Sequence, residues 1–191
     1  VLLHDDQKVP VIDTFRSAYF GTSLEKTVFA NLASLATRKP FFDIVMTGHS
    51  FGAAMATIAS FRYAISKPQM RVSCNVFSSP RVGGEEWRQL VHSVPNLRIY
   101  RTENGADPCV VLPSGNEWVH CGHAVQISDL TGHTVGVDIK ARRFDNGQAN
   151  NGNLFGYVQA LPKNITQVGS SSQSKVDHEI QSYVEKLTRS G

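Results

Sequence analysis

Gly48-His49-Ser50-Phe51-Gly52 constrains this chain more than any other feature, because of what flanks it. Ahead of it, Phe41-Phe42-Asp43-Ile44-Val45-Met46-Thr47 is a short apolar run with β-branched and aromatic residues, which predicts a buried strand. Behind it, Gly52 to Ile65 is rich in alanine and predicts a helix that ends before Pro68. A G-x-S-x-G turn between strand and helix drives its serine into a strained bend, with the hydroxyl presented at the carboxyl end of the sheet. On this reading Gly48 and Gly52 are both required, since side chains there would collide with neighbouring backbone. Ala53 and Ala54 extend the small surface where helix meets strand, and His49 packs under the bend.

The rest of the chain supplies the sheet. Leu24, Val28, Leu32 and Leu35 recur at helical spacing, and Thr22 with Glu25 has capping-box spacing, so residues 11–39 read as helix up to Lys39-Pro40. Met70 to Phe77 predicts a second strand and Gly84 to Ser93 a short helix carrying Trp87, Leu90 and Val91. Leu97 to Thr102 predicts a third strand. Trp118 to Ile127 and Thr134 to Ile139 predict two more, arranged as a hairpin. Residues 144–175 are rich in Gly, Asn, Gln and Ser and read as a long irregular excursion. Val176, Ile180, Tyr183, Val184 and Leu187 then share one face of a last helix. Strands alternating with helices predict an α/β fold, a mainly parallel central sheet flanked by helices. At 191 residues, the chain suits a single domain spanning 1–191.

A serine hydroxyl is a weak nucleophile at neutral pH and needs a histidine base oriented by a carboxylate. With this turn the expected chain order is serine, then acid, then histidine. Asp107 follows the third strand in Glu103-Asn104-Gly105-Ala106-Asp107-Pro108, a loop suited to presenting a side chain at the sheet's rim; Glu103 is the fallback acid. Asp129 and Asp138 read as hairpin residues. Four histidines lie downstream of Asp107: His120, His123, His133 and His178. His178, beside its expected N-cap Asp177 at the start of the last helix, is the one a late loop returns to the bend. His120 and His123 alternate with apolar residues in a predicted strand and read as surface or packing residues. The backbone N–H of Phe51, directly after the serine, is the expected oxyanion donor.

Composition removes several other classes. A net charge of +3 without a basic stripe lacks the electrostatic footprint of nucleic-acid binding. No apolar run approaches the ~18 residues of a transmembrane span. No His/Cys/Asp spacing resembles a metal site, and no cofactor is implied. Three cysteines close one disulfide at most; Cys109 with Cys121 is the favoured pair, against an equally weighted reading as buried free thiols. The chain starts Val-Leu-Leu-His, so the lack of a leader says nothing about secretion. Asn164-Ile165-Thr166, an N-glycosylation sequon, leans weakly toward it.

Several segments in order resemble one family. Thr47-Gly48-His49-Ser50-Phe51-Gly52-Ala53-Ala54 and Phe77-Ser78-Ser79-Pro80-Arg81-Val82-Gly83 resemble the T-G-H-S-L-G-G-A and G-S-P-R-V-G segments of fungal-type class 3 lipases. Asp107 with Leu112-Pro113 resembles their acid-bearing region, and Asp177-His178 with Tyr183 their D-H-x-x-Y segment. Lys8 to Tyr19 resembles their helix start upstream of the bend. Phe51 stands where leucine is usual, and Ala53 where a second glycine is. The resemblance implies an α/β-hydrolase fold and a serine carboxylic-ester hydrolase acting on acylglycerols or related lipid esters, with Ser50, His178 and Asp107 as nucleophile, base and orienting acid. It also implies an F-R-G-[ST] strand and a lid upstream, for which Val1 to Gln7 leave no room, so the domain is expected to be N-terminally incomplete. That predicts a weakened oxyanion hole, and either self-association or pairing with the missing segment. A catalytically weak or inactive lipase-like binding module is the alternative.

Overall fold

The computed structural model describes residues 10–39, 42–105, 107–128, 134–136, 178–182 and 184. Five strands form one sheet in the order β1-β2-β3-β4-β5: β1 Ile44–His49, β2 Val72–Phe77, β3 Leu97–Asn104, β4 His123–Ser128 and β5 Thr134–Gly136. The first four are parallel in sequence order, and β5 pairs antiparallel with β4. Among the described residues β1 is paired on one side only, to β2.

The helices are α1 Asp13–Tyr19, α2 Ser23–Arg38, α3 Phe51–Ser66 and α4 Glu85–Ser93. Parallel neighbours need crossovers, and the helices α3 and α4 supply the first two. The core gathers on α3, where Ala53 to Ala56, Ile58, Ala59, Phe61, Tyr63 and Ala64 are buried. Its alanines let the helix lie close on β1 and β2, whose inward side chains include Ile44, Val72, Cys74 and Val76. Trp87 of α4 is fully enclosed, its ring edge-on to Phe61 at 5.0 Å between centroids. By contrast α2 buries none of its residues fully, and Leu24 and Leu35 stay exposed.

Three expectations change. The helix read over 11–39 is two helices, because Gly21 takes φ +74° between them and the chain turns there. Thr22 caps α2 as expected, with Glu25 N–H meeting Thr22 Oγ1, but the reciprocal bond differs: Glu25 Oε2 accepts from Gly21 N–H, one residue before the cap. The strand read from Trp118 starts only at His123, since Gly122 at φ +77° breaks extended backbone. His120 is therefore not on a strand at all. The third change concerns Gly52. A Cβ at Gly48 would press into the Gly52–Ala53 backbone, but one at Gly52 would meet nothing within 4 Å.

Phe41, His133, Asp129, Asp138, the 144–175 excursion, the Asn164 sequon, Asp177 and most of the last predicted helix lie outside the described residues, as do Val1 to Gln7 and Lys8.

Candidate active site

The site lies where β1, β2 and β3 end. Ser50 follows β1 directly and caps α3 with φ 56° and ψ −124°, backbone that a non-glycine residue adopts only at a cost of about 1–3 kcal/mol. The surroundings enforce it. Ser50 N–H donates to Phe77 O at the end of β2 (3.1 Å), and Ala53 N–H returns to Ser50 O (2.9 Å). Gly48 permits the tight crossing of α3's first turn over the strand. Phe51 opens α3, so its N–H has no carbonyl one turn back within the helix and faces outward at the positive end of the helix dipole. Its exposed ring leans on Phe15 of α1 at 5.4 Å.

Asp107 sits beyond β3, heading the short 3₁₀ turn Pro108–Val111. Its carboxylate is buried; Oδ1 accepts from Cys109 N–H at 2.9 Å and lies 2.9 Å from His178 Nδ1. The opposite ring nitrogen, Nε2, lies 3.3 Å from Ser50 Oγ. Serine, imidazole and carboxylate thus form one line of contacts, drawn from three places spread over 128 residues of sequence. With Nδ1 protonated toward Asp107, Nε2 offers its lone pair to the serine hydroxyl.

Other residues hold the histidine there. Asn104, buried at the end of β3, donates through Nδ2 to Ser182 Oγ (3.0 Å) and so ties the His178 segment to the sheet. His49 does not pack under the bend as expected. Its Nε2–H donates to His178 O (2.9 Å), and the two rings lie 5.2 Å apart. Ser78 Oγ lies 2.8 Å from His178 Nδ1. None of these three residues carried a readable signal, because their work depends on a partner 78 or more positions away.

The remaining candidates have other partners. Glu103 pairs with the buried Arg101, whose Nε–H also donates to Cys121 O. His120 Nε2–H donates to Val110 O (2.6 Å), bracing the turn that carries Asp107; burial and the nearby Arg101 charge push its pKa down to about 3. His123 stacks on Tyr100, and burial lowers its pKa too. All three cysteines are buried free thiols, so the Cys109–Cys121 bond is not formed. Cys109 Sγ stands 3.8 Å from Ser50 Oγ, and burial raises its pKa. Among the described residues no group of three or more His, Cys, Asp or Glu side chains is placed to hold a metal, and no helix is long and apolar enough to cross a membrane.

An apolar cavity of about 370 Å³ opens beside the serine, lined by Ile12, Phe15, Phe51, Pro80, Leu112 and Pro113 together with Ser50, Thr14 and Cys109. Its size falls within the usual range for small-molecule pockets.

A parallel sheet flanked by helices, with a serine at a strained strand-to-helix bend on its carboxyl edge, defines an α/β-hydrolase fold. Solved structures agree. The lipase from Rhizopus microsporus var. chinensis superposes with a TM-score of 0.57 at 25% identity, over 61% of this chain and 41% of that one. The Rhizomucor miehei triacylglyceride lipase shares the fold, with a TM-score of 0.57 at 21% identity over 61% and 44%. The chain belongs to the class 3 lipase family, whose model matches residues 3–117. Among curated relatives, phospholipase A1-II 1 of Oryza sativa subsp. indica is 41% identical over 87 residues, which is 43% of this chain and 20% of the relative. Phospholipase A1-IIdelta of Arabidopsis thaliana is 34% identical over 105 residues, 52% of this chain and 25% of the relative. The matches thus span a quarter or less of those two plant proteins.

Proposed function

We propose that this chain is a serine hydrolase of fatty-acyl esters on glycerol, acting through Ser50, His178 and Asp107. The observation that carries this reading is the unbroken set of contacts from Ser50 Oγ through both nitrogens of His178 to the buried Asp107 carboxylate. Membership of the class 3 lipase family and the apolar cavity beside Ser50 support it.

In the reaction His178 Nε2 takes the Ser50 proton as Oγ attacks the ester carbonyl. The Phe51 N–H, at the head of α3, donates to the oxyanion that forms. Collapse of this intermediate expels the alcohol, which receives the proton from His178, and leaves the acyl group on Oγ. Water then repeats the cycle: His178 deprotonates it, it attacks the acyl carbonyl, and Ser50 leaves with the proton restored. Asp107 keeps the proton on Nδ1 throughout and stabilises the imidazolium. One ester and one water become one acid and one alcohol.

The cavity walls suggest the acyl side of the substrate. Phe15, Phe51, Ile12 and Leu112 present hydrocarbon next to the nucleophile, and among the described residues no cationic side chain lines the space. That suits a fatty-acyl chain and leaves the glycerol headgroup outside. Triacylglycerol and diacyl phosphatidylcholine are therefore both expected substrates. Release of fatty acid from each should be measured for the wild type and for Ser50→Ala. The expected result is hydrolysis that falls by roughly a million-fold in the variant, as when a triad acts as a unit. Release that persists in Ser50→Ala contradicts the nucleophile; a chain that hydrolyses neither lipid nor a short p-nitrophenyl ester favours the non-catalytic binding module.

A further inference from the structure

Ser78 follows β2 at φ +53°, the left-handed region where glycine fits and an L side chain is strained, and it is completely buried. Its backbone N–H is satisfied by Thr102 O (3.1 Å), so the fold does not keep it there to cap a loose end. What the side chain reaches is the imidazole. Ser78 Oγ lies 2.8 Å from His178 Nδ1, as close as the Asp107 oxygen at 2.9 Å. A neutral imidazole that offers Nε2 to Ser50 carries its single proton on Nδ1, and that proton faces two acceptors. The Ser78 hydroxyl accepts through its oxygen lone pairs and keeps its own proton, which leaves Nδ1–H as the donor.

We propose that Ser78 is a second positioning residue for His178, accepting from Nδ1–H alongside Asp107. This assignment rests on the proposed role of His178 as the base. The hydroxyl touches neither substrate nor nucleophile. It narrows the ring's rotation and keeps the proton on Nδ1, where a lone carboxylate would leave the imidazole free to pivot about one contact. Because an imidazolium donates more strongly than a neutral ring, the second acceptor also favours the protonated base. The strained backbone at Ser78 is then the cost of aiming its hydroxyl at the ring.

The test measures the rate at which a fluorophosphonate labels Ser50 in the full chain, as a function of pH. It compares the wild type with Ser78→Gly, which relieves the backbone, and Ser78→Ala, which retains it. Both should fold, and Ser78→Gly should melt no lower than the wild type. Both should label roughly 3- to 10-fold more slowly near neutral pH, the worth of one such hydrogen bond. The acid limb of the profile should move to lower pH, a shift that loss of packing alone does not produce. In an Asp107→Ala background, where Ser78 is the remaining acceptor, Ser78→Gly should cost a larger factor than it does in the wild type. Wild-type rates and an unmoved acid limb in both Ser78 variants, with labelling still dependent on His178, overturn this assignment alone. Labelling in the wild type that ignores His178→Ala overturns the proposed base and this assignment with it.

Discussion

The bend that presents Ser50 has two glycines, and the structure separates their roles sharply enough to predict opposite outcomes. A Cβ at Gly48 would lie 2.5 Å from the Gly52 carbonyl carbon and 2.9 Å from Ala53 N, and closer still to the Gly52 carbonyl oxygen. Ordinary contact starts near 3.4 Å, so the first turn of α3 must retreat by about 0.9 Å or more. Those neighbours are backbone, and no side-chain rotation relieves them. Overpacking of this kind costs about 3 kcal/mol, or roughly 6–12 °C in Tm at this chain length. The retreating turn carries both Ser50 and the Phe51 N–H, and misplacing reacting groups by about 1 Å costs ~10²-fold in rate. At Gly52 the added methyl meets nothing within 4 Å and replaces glycine inside a helix, a gain of about 0.5–1 kcal/mol. Thermal melts and p-nitrophenyl butyrate turnover of Gly48→Ala and Gly52→Ala should therefore diverge. Gly48→Ala melts lower and loses activity; Gly52→Ala melts slightly higher. Equal melting of the two variants, in either direction, would refute the account of the bend.

His178→Ala should match Ser50→Ala in lost turnover, whereas His123→Ala, whose ring on β4 stacks on Tyr100 of β3, should lose at most a few-fold; a few-fold loss for His178→Ala would place the base elsewhere. His120, held at a pKa of about 3 against an ordinary 6.5, takes up its proton far more readily in the unfolded chain. Stability should therefore rise with pH between those values and be lost as pH falls from 6.5 toward 3, by no more than about 5 kcal/mol. Urea midpoints across this range should flatten in His120→Gln, which keeps a donor for Val110 O; an unchanged slope would show that His120 does not titrate as described. Val45 on β1, which is paired on one side among the described residues, and Phe42 just ahead of that strand are exposed, and an apolar trough of about 310 Å³ reaches the same strand at Met46, with Leu24, Val28 and Leu32 in its walls. Light scattering should show concentration-dependent self-association that Val45→Lys reduces without altering the melt, and a monomer at all concentrations would contradict this.

The parts of this molecule that follow local rules were legible in its sequence. The apolar run before Gly48 and the alanine-rich stretch after Gly52 each had one reading, and strand and helix formed there. The Thr22–Glu25 cap was visible for the same reason, since its two bonds close within four residues. Where local pattern and backbone geometry disagreed, pattern misled. The apolar spacing ran through Gly21 without a break, yet a left-handed glycine divides the helix there. Alternation at Trp118–Ile127 suggested a strand, but Gly122 delays it to His123. The site followed the same rule. Ser50 stands out through its glycines, and Asp107 through its turn-forming loop. Ser78, Asn104 and His49 act on a histidine segment far along the chain, and a polar residue at a strand end carries no mark of the partner that folding brings to it.

The central claim is that Ser50 is an activated nucleophile whose base is His178. Incubation with a fluorophosphonate, followed by peptide mass spectrometry, tests it without any assumption about substrate. The account predicts one adduct, on Ser50, formed by the wild type and lost by at least a hundredfold in rate in a folded His178→Ala variant, roughly what general-base help contributes. No adduct in folded wild type, or labelling of Ser50 that proceeds equally well without the imidazole, would contradict it.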